Sequence, residues 1–324
     1  TPNLGGDIKI SQNAFLMEPV SVENLHNNRS GRNFWCRMAD GGCFSAAGAS
    51  VWQESRKFTK EQDGSVLTAG LMWHTITRTS CQYPLQAEVT SFVPLTHAVE
   101  VMRVTLWNTG NEAQTLTPAA VIPIFGRSAD NIRDHRHVTS LLHCIWTTDD
   151  GVCVKPTLSF DERGHRRNDL IYFVCGADGE GRKPAGFYPV AQDFIGEGGS
   201  YTNPAQIREN AAGVAAGYKT QGKEATGGIR FDEICLAPGE RAVYTIVMGV
   251  TDREEQISQI MDAFRTAEQT AAALRQVREY WQEKVNVRYH TGSSTYDRFL
   301  RWVSFQPLLR RIYGCSFLPY HDYG

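Results

Sequence analysis

The sequence has no uninterrupted apolar run long enough to cross a bilayer as a helix. It has almost no net charge: 33 basic and 35 acidic side chains leave a formal −2, so there is no electrostatic case for nucleic acid or an anionic membrane as partner. It has eight cysteines but no CxxC pair. In a chain of 324 residues, large enough to do without staples, they read as reduced core thiols rather than a disulfide framework. Nothing at the front reads as a basic-then-apolar leader, so Asn28-Arg29-Ser30 carries no weight as a glycosylation site. The expected setting is cytoplasmic. There is no GxSxG elbow, no catalytic-cysteine signature, no glycine loop followed by Lys-Ser/Thr, and no short internal repeat. A named nucleophile and a phosphate loop are therefore both missing.

What is present is globular: 41% hydrophobic and 21% charged residues, enough for one large domain or two ordinary ones. After a Gly- and Asn-rich start, strands follow one another from Ser65. Met72–Ser80, Leu85–Pro94, Val99–Trp107 and Gln114–Phe125 are rich in Thr, Val and Phe. The turn Asn108-Thr109-Gly110-Asn111 makes the last two a predicted hairpin. Gly151–Phe160, Leu170–Cys175, Ile229–Leu236 and Ala242–Val250 continue the pattern. The unbroken apolar run Val243–Val250 predicts a strand buried on both faces. Strands joined by Pro/Gly turns, without interleaved helices, predict an antiparallel β-sandwich.

At Thr251 the period changes. Thr251-Asp252-Arg253-Glu254 reads as a capping box ahead of Ile257, Ile260, Met261 and Phe264. A second helix is predicted from about Thr266 to Val285, with Leu274, Val277, Trp281 and Val285 on one stripe. Ser294-Thr295-Tyr296-Asp297 reads as a further box, opening a helix through Phe299, Trp302, Val303 and Leu309. Pro307 predicts a kink or break in it, and Gly314 a C-cap. The predicted organisation is a sandwich over 1–250, a helical linker over 251–287 and a further helical unit over 288–324. With Phe299, Trp302 and Phe317 to bury, that last unit looks cut short.

Two constellations could carry chemistry. The run 126–137 places His135 and His137 at one-apart spacing, with Asp130 or Asp134 able to complete a metal site. Without a third committed ligand, an ion-paired loop is the weightier reading. Ser159–Arg167 has the same charged character, and the two runs could pair. The second constellation runs from Gly186-Phe187-Tyr188-Pro189 through Asp193–Pro204. Glycines give it backbone freedom, and aromatics alternate with short polar groups, a mixture suited to sugar recognition and also to an ordinary long loop. Glu88, Glu100, Asp161, Glu162, Asp193 and Glu197 are available for acid–base work, yet no motif places a pair of them.

The order of these segments resembles the N-terminal part of the inverting phosphorylases of glycoside hydrolase family 94, the cellobiose phosphorylase group. The likeness rests on Glu88–Leu95, Val99-Glu100-Val101, Leu106–Gly110, Asp193-Phe194-Ile195-Gly196, Tyr201-Thr202-Asn203-Pro204, Leu236–Glu240 and Tyr280-Trp281. Phe15–Val20, Gly126–His137 and Phe317–Gly324 carry a greater likeness to the 1,2-β-oligoglucan phosphorylase branch. The resemblance implies a mainly β chain: a large antiparallel supersandwich, a helical linker and the first helix of an (α/α)6 barrel. It implies phosphorolysis of a β-gluco-oligosaccharide, with inorganic phosphate as co-substrate, no cofactor and no metal, in a homodimer. The catalytic Asp would lie in the barrel segment, outside this sequence, so the chain alone would be inactive. Substrate contacts are expected from Tyr188, Tyr201, Asn203, His321 and Asp322. The other reading is a stand-alone carbohydrate-binding or structural sandwich.

Overall fold

Apolar residues at every second position of one set of strands meet those of another set across a common core. In the computed structural model, which describes residues 4, 6, 8–11, 14–18, 31–128, 140–161, 164–309, 311–312 and 315–316, they build two facing antiparallel sheets. The larger sheet has nine strands. Their spatial order is Lys219–Gln221, His143–Thr147, Gly151–Pro156, Ile171–Asp178, Arg241–Thr251, Val99–Asn108, Leu85–Phe92, Trp73–Thr79 and Gly64–Gly70. The smaller runs Gly186–Val190, Ala225–Arg230, Gln114–Ile124, Asn33–Met38 and Cys43–Ser45, with Ile234–Leu236 also paired to Gln114–Ile124. Phe34, Cys36, Leu116 and Ile122 from the smaller sheet meet Val89, Met102, Val104 and Ile246 from the larger. Gly227 permits the approach, since a Cβ there would stand 2.5 Å from the Val174 side chain.

The apolar run in Arg241–Thr251 follows from its central place. Tyr244, Ile246 and Met248 enter the inter-sheet core, while Val247 faces outward beneath Ile257, Met261, Phe264 and Val277. Those four belong to helices Glu255–Ala263 and Ala267–Lys284, which cover the larger sheet's outer face. The strand is thus buried on both sides, as predicted.

Val99–Asn108 and Gln114–Ile124 do not form the predicted hairpin. They lie in different sheets, and residues 109–113 arch between them. The reason is Asn108, fully buried at the arch. Its Nδ2 donates to the carbonyls of Glu112 and Leu236, and its Oδ1 accepts from Gly110 N. Both flanking strands are apolar on the face that meets the core, so crossing over buries each in its own layer. The stretch Ile229–Leu236 likewise divides: Ala225–Arg230 and Ile234–Leu236 pair separately with Gln114–Ile124. Leu158–Asp161 pairs with Gly164–Arg167 as a small hairpin of its own. Its predicted pairing with the 126–137 run involves residues outside those described.

The helix starts are also displaced from the sequence reading. The first linker helix begins at Glu255 with no side-chain cap, because Thr251 still belongs to the strand and its hydroxyl accepts from Arg253 N at 3.2 Å. The second carries a full capping box, Thr266 with Gln269. Between them Arg265 makes a bidentate pair with Asp150, at 2.8 and 3.0 Å, tying the linker to the sheet end. The terminal helix spans Ser294–Leu309. Ser293, one residue before the predicted cap, supplies the hydroxyl, and Asp297 reaches back to Thr291 at 2.8 Å. Pro307 lies within its last turn, two residues before its end. The expected C-cap at Gly314 is outside the described residues.

Candidate functional site

Gly186–Val190 is no loop but the edge strand of the smaller sheet, paired with Ala225–Arg230. Chain direction then turns through a short helix, Ala191–Ile195, which stops at Gly196 with φ +72°. Gly199 lies so close to Ile195 that a Cβ would stand 1.8 Å from its carbonyl oxygen. Residues 200–203 close a turn, with Asn203 N donating to Ser200 O at 3.1 Å, and Thr202 O accepts from Val51 N at 2.9 Å. A further short helix, Ala205–Arg208, follows. The loop is therefore laid down on the sheet and held to the helix Val51–Arg56.

Its aromatics form a row. Tyr188 and Phe194 have ring centroids 5.7 Å apart, and Phe194 and Tyr201 6.0 Å. Phe194 is fully buried with Trp35, Val121 and Ile207. Tyr188 is only 5% exposed, and its hydroxyl donates to Ala211 O at 2.7 Å. Burial pushes that phenol up to about 12, against the nearby Arg230, so it stays protonated as a donor. With its ring in the core and its hydroxyl engaged, Tyr188 holds the loop in place. Tyr201 and Asn203 are half-buried at the rim. Beside the row is a cleft of about 370 Å³, bordered by Tyr188, Asp193, Phe194, Gln206, Ala211 and Tyr218. The structure thus brings Tyr188 and Tyr201 together through Phe194, with Asn203 two residues further on. His321 and Asp322 lie outside the described residues.

At one end of the sandwich stands a second polar group. Arg127, buried, donates to Glu224 at 2.7 Å and lies over the Phe125 ring at 4.9 Å. His143 is fully buried nearby, its ring beside the Lys223 backbone. Burial, then Arg127, push this imidazole down to about 3, partly opposed by the Lys223 backbone. It is a neutral side chain under all ordinary conditions. His135 and His137, for which an ion-paired loop is the weightier reading, are outside the described residues, among which no cluster of three His, Cys, Asp or Glu could hold a metal ion. Cys36, Cys43, Cys81, Cys144, Cys153, Cys175 and Cys235 are free thiols, none of them in a disulfide.

A third surface belongs to the terminal helix. Phe305 is fully buried, with its centroid 5.1 Å from Trp281. Arg301 donates to the carbonyls of Gln282 and Val285, capping the second linker helix. Tyr296, Phe299, Trp302 and Val303 are instead exposed, Phe299 by 55% and Trp302 by 42%. One flank docks on the linker and the other presents aromatic rings to solvent.

Sequence reasoning missed His143, Glu224, Trp146 and Glu254. Glu224 pairs with Arg127 and Trp146 with Glu254 across about a hundred positions, so no local spacing could signal them.

No curated protein matches the sequence. Among solved structures, a bacterial glucoamylase complexed with acarbose is similar at a TM-score of 0.48 and 8% identity, over 80% of this chain and 32% of that one. A polysaccharide lyase is similar at 0.40 and 10%, over 76% of this chain and 30% of that one. The chain spans about a third of the length of either. No helix among the described residues is long and apolar enough to cross a membrane. The profile of the glycosyl hydrolase 94 supersandwich domain matches residues 14–267, which takes in both sheets from Ala14 onward and the first linker helix. The chain belongs to the glycosyl hydrolase 94 family, through its supersandwich domain.

Proposed function

We propose that this chain is the sandwich and linker portion of an inverting glycoside phosphorylase. The reaction is cleavage of a β-linked gluco-oligosaccharide by inorganic phosphate, with β-1,2 linkage as the preferred substrate. A phosphate oxygen attacks the anomeric carbon as the glycosidic C–O bond breaks, and a carboxylic acid protonates the departing oxygen. Inversion then gives α-glucose 1-phosphate. Because phosphate is itself the nucleophile, one protein carboxyl suffices where an inverting hydrolase needs two.

The observation that carries this reading is the family match, and the terminal helix adds to it. A helix docked on one flank and aromatic on the other is built to be covered. Its proposed cover is an (α/α)6 barrel segment that holds the catalytic acid. The sandwich would brace that segment within a homodimer, and Tyr201 and Asn203 at the loop rim would meet substrate or partner. Seven free thiols suit a reducing, cytoplasmic setting.

The test is the full product of the gene, incubated with phosphate and β-1,2-, β-1,3- or β-1,4-linked gluco-oligosaccharides. Proton NMR should show α-glucose 1-phosphate first and fastest from the β-1,2 series. Release of free glucose independent of phosphate would show a hydrolase instead.

A further inference from the structure

At the edge of the larger sheet furthest from the Gly64–Gly70 strand, the outer face ends in the three-residue strand Lys219–Gln221. Register sets Cys144 opposite Gln221 and Trp146 opposite Lys219. Directly opposed residues share a face, so these four side chains stand on the outer side, while Ile145 between them turns into the inter-sheet core. With Thr148 and Glu254 they line a cleft of about 530 Å³, within the range of small-molecule sites.

Trp146 is half-buried, and its indole N–H donates to Glu254 Oε1 at 2.9 Å. That bond fixes the ring plane and uses the indole's only donor. What the ring then offers a ligand is an apolar plate. Gln221, Lys219, Glu254 and Thr148 share the lining, the Thr148 hydroxyl accepting from the Asp150 and Gly151 N–H groups. One cation and one anion on the lining select neither a phosphate nor a metal ion. A fixed aromatic plate ringed by paired donors and acceptors matches a neutral polyol with apolar C–H faces and an equatorial rim of hydroxyls, which is the description of a β-glucopyranosyl ring.

We propose that this cleft is a carbohydrate-binding subsite that takes a gluco-oligosaccharide, with one pyranose ring stacked on Trp146 and its hydroxyls bonded to Gln221 and Glu254. The choice of a glucan rests on the phosphorylase reading; the stacking geometry does not. Glu254 opens the linker and Trp146 belongs to the sheet, so ligand bound here would also bridge the joint between them.

The experiment is isothermal titration of the 324-residue chain with a β-1,2-linked glucotetraose. Binding should fall at least tenfold in Trp146→Ala and several-fold in Gln221→Ala. It should be largely kept in Trp146→Phe, which retains a plate without the indole N–H, and in Leu67→Ser, at an exposed position on the strand at the opposite edge of the same sheet. Circular dichroism checks each fold, and Gln221→Ala carries the test if Trp146→Ala does not fold. No binding to the unaltered chain, or equal binding by the Trp146→Ala and Gln221→Ala variants, would overturn the subsite. The phosphorylase reading is judged separately, by glucose 1-phosphate formation, so either can fail while the other stands.

Discussion

At the residue scale, single buried polar side chains set the path of the chain. Asn108 makes three hydrogen bonds inside the arch between the sheets. Each is worth about 1 kcal/mol, and its loss strands buried backbone groups. Asn108→Ala is therefore expected to cost about 3 kcal/mol, read as a lowered urea midpoint. His143 makes a different prediction. The folded chain keeps it neutral down to about pH 3, whereas in the unfolded chain it protonates near 6.5. Between those values the unfolded state holds one more proton, so this group's contribution falls as pH falls, by about 1.4 kcal/mol per unit. His74, pushed down to about 4 by burial and by Arg32, acts in the same direction. Urea unfolding of His143→Gln between pH 7 and 5 should show a shallower loss than the unaltered chain. Sequence showed neither role. Asn108 read as an ordinary turn residue, because what distinguishes an arch from a hairpin is the Leu236 carbonyl it meets 128 positions away.

At the element scale, patterning was legible wherever one element decides its own fate. The apolar run of Val243–Val250 announced a strand buried on both faces, and it is one. Helix starts were less legible, because the same letters do different work in different places. Thr251 and Thr266 each precede an acid or amide by three residues, yet only Thr266 caps a helix. Thr251 is held in the strand by its pairing with Ile171, so its side chain serves the turn. Removing the cap by Thr266→Ala should cost about 1 kcal/mol, whereas Thr251→Ala should leave helicity at 222 nm unchanged. In the candidate site the aromatic row was legible as a cluster, but the division of labour within it was not. Tyr188 and Tyr201 look alike in sequence; only the register of Gly186–Val190 sends the first inward to Ala211.

At the scale of the whole molecule, the sandwich is closed on its inner faces and roofed by the linker on one outer face. Five exposed large apolar side chains, Tyr296, Phe299, Trp302, Val303 and Leu309, stand on the terminal helix. Exposed aromatics at Tyr296, Phe299 and Trp302 favour association, so the chain alone is expected to sediment as oligomers at high concentration. Phe299→Ser with Trp302→Ser should return it to a monomer, since the Phe305–Trp281 contact with the linker involves neither side chain.

In the proposed function, this family member supplies the frame of a phosphorylase whose reacting groups lie in a further segment. The most direct measurement is glucose 1-phosphate formation from phosphate and β-1,2-gluco-oligosaccharide, by the 324-residue chain and by the full product of its gene. None is expected from the chain, and formation stoichiometric with the phosphate consumed is expected from the full product. Turnover by the chain alone, or none by the full product, would contradict the proposed function.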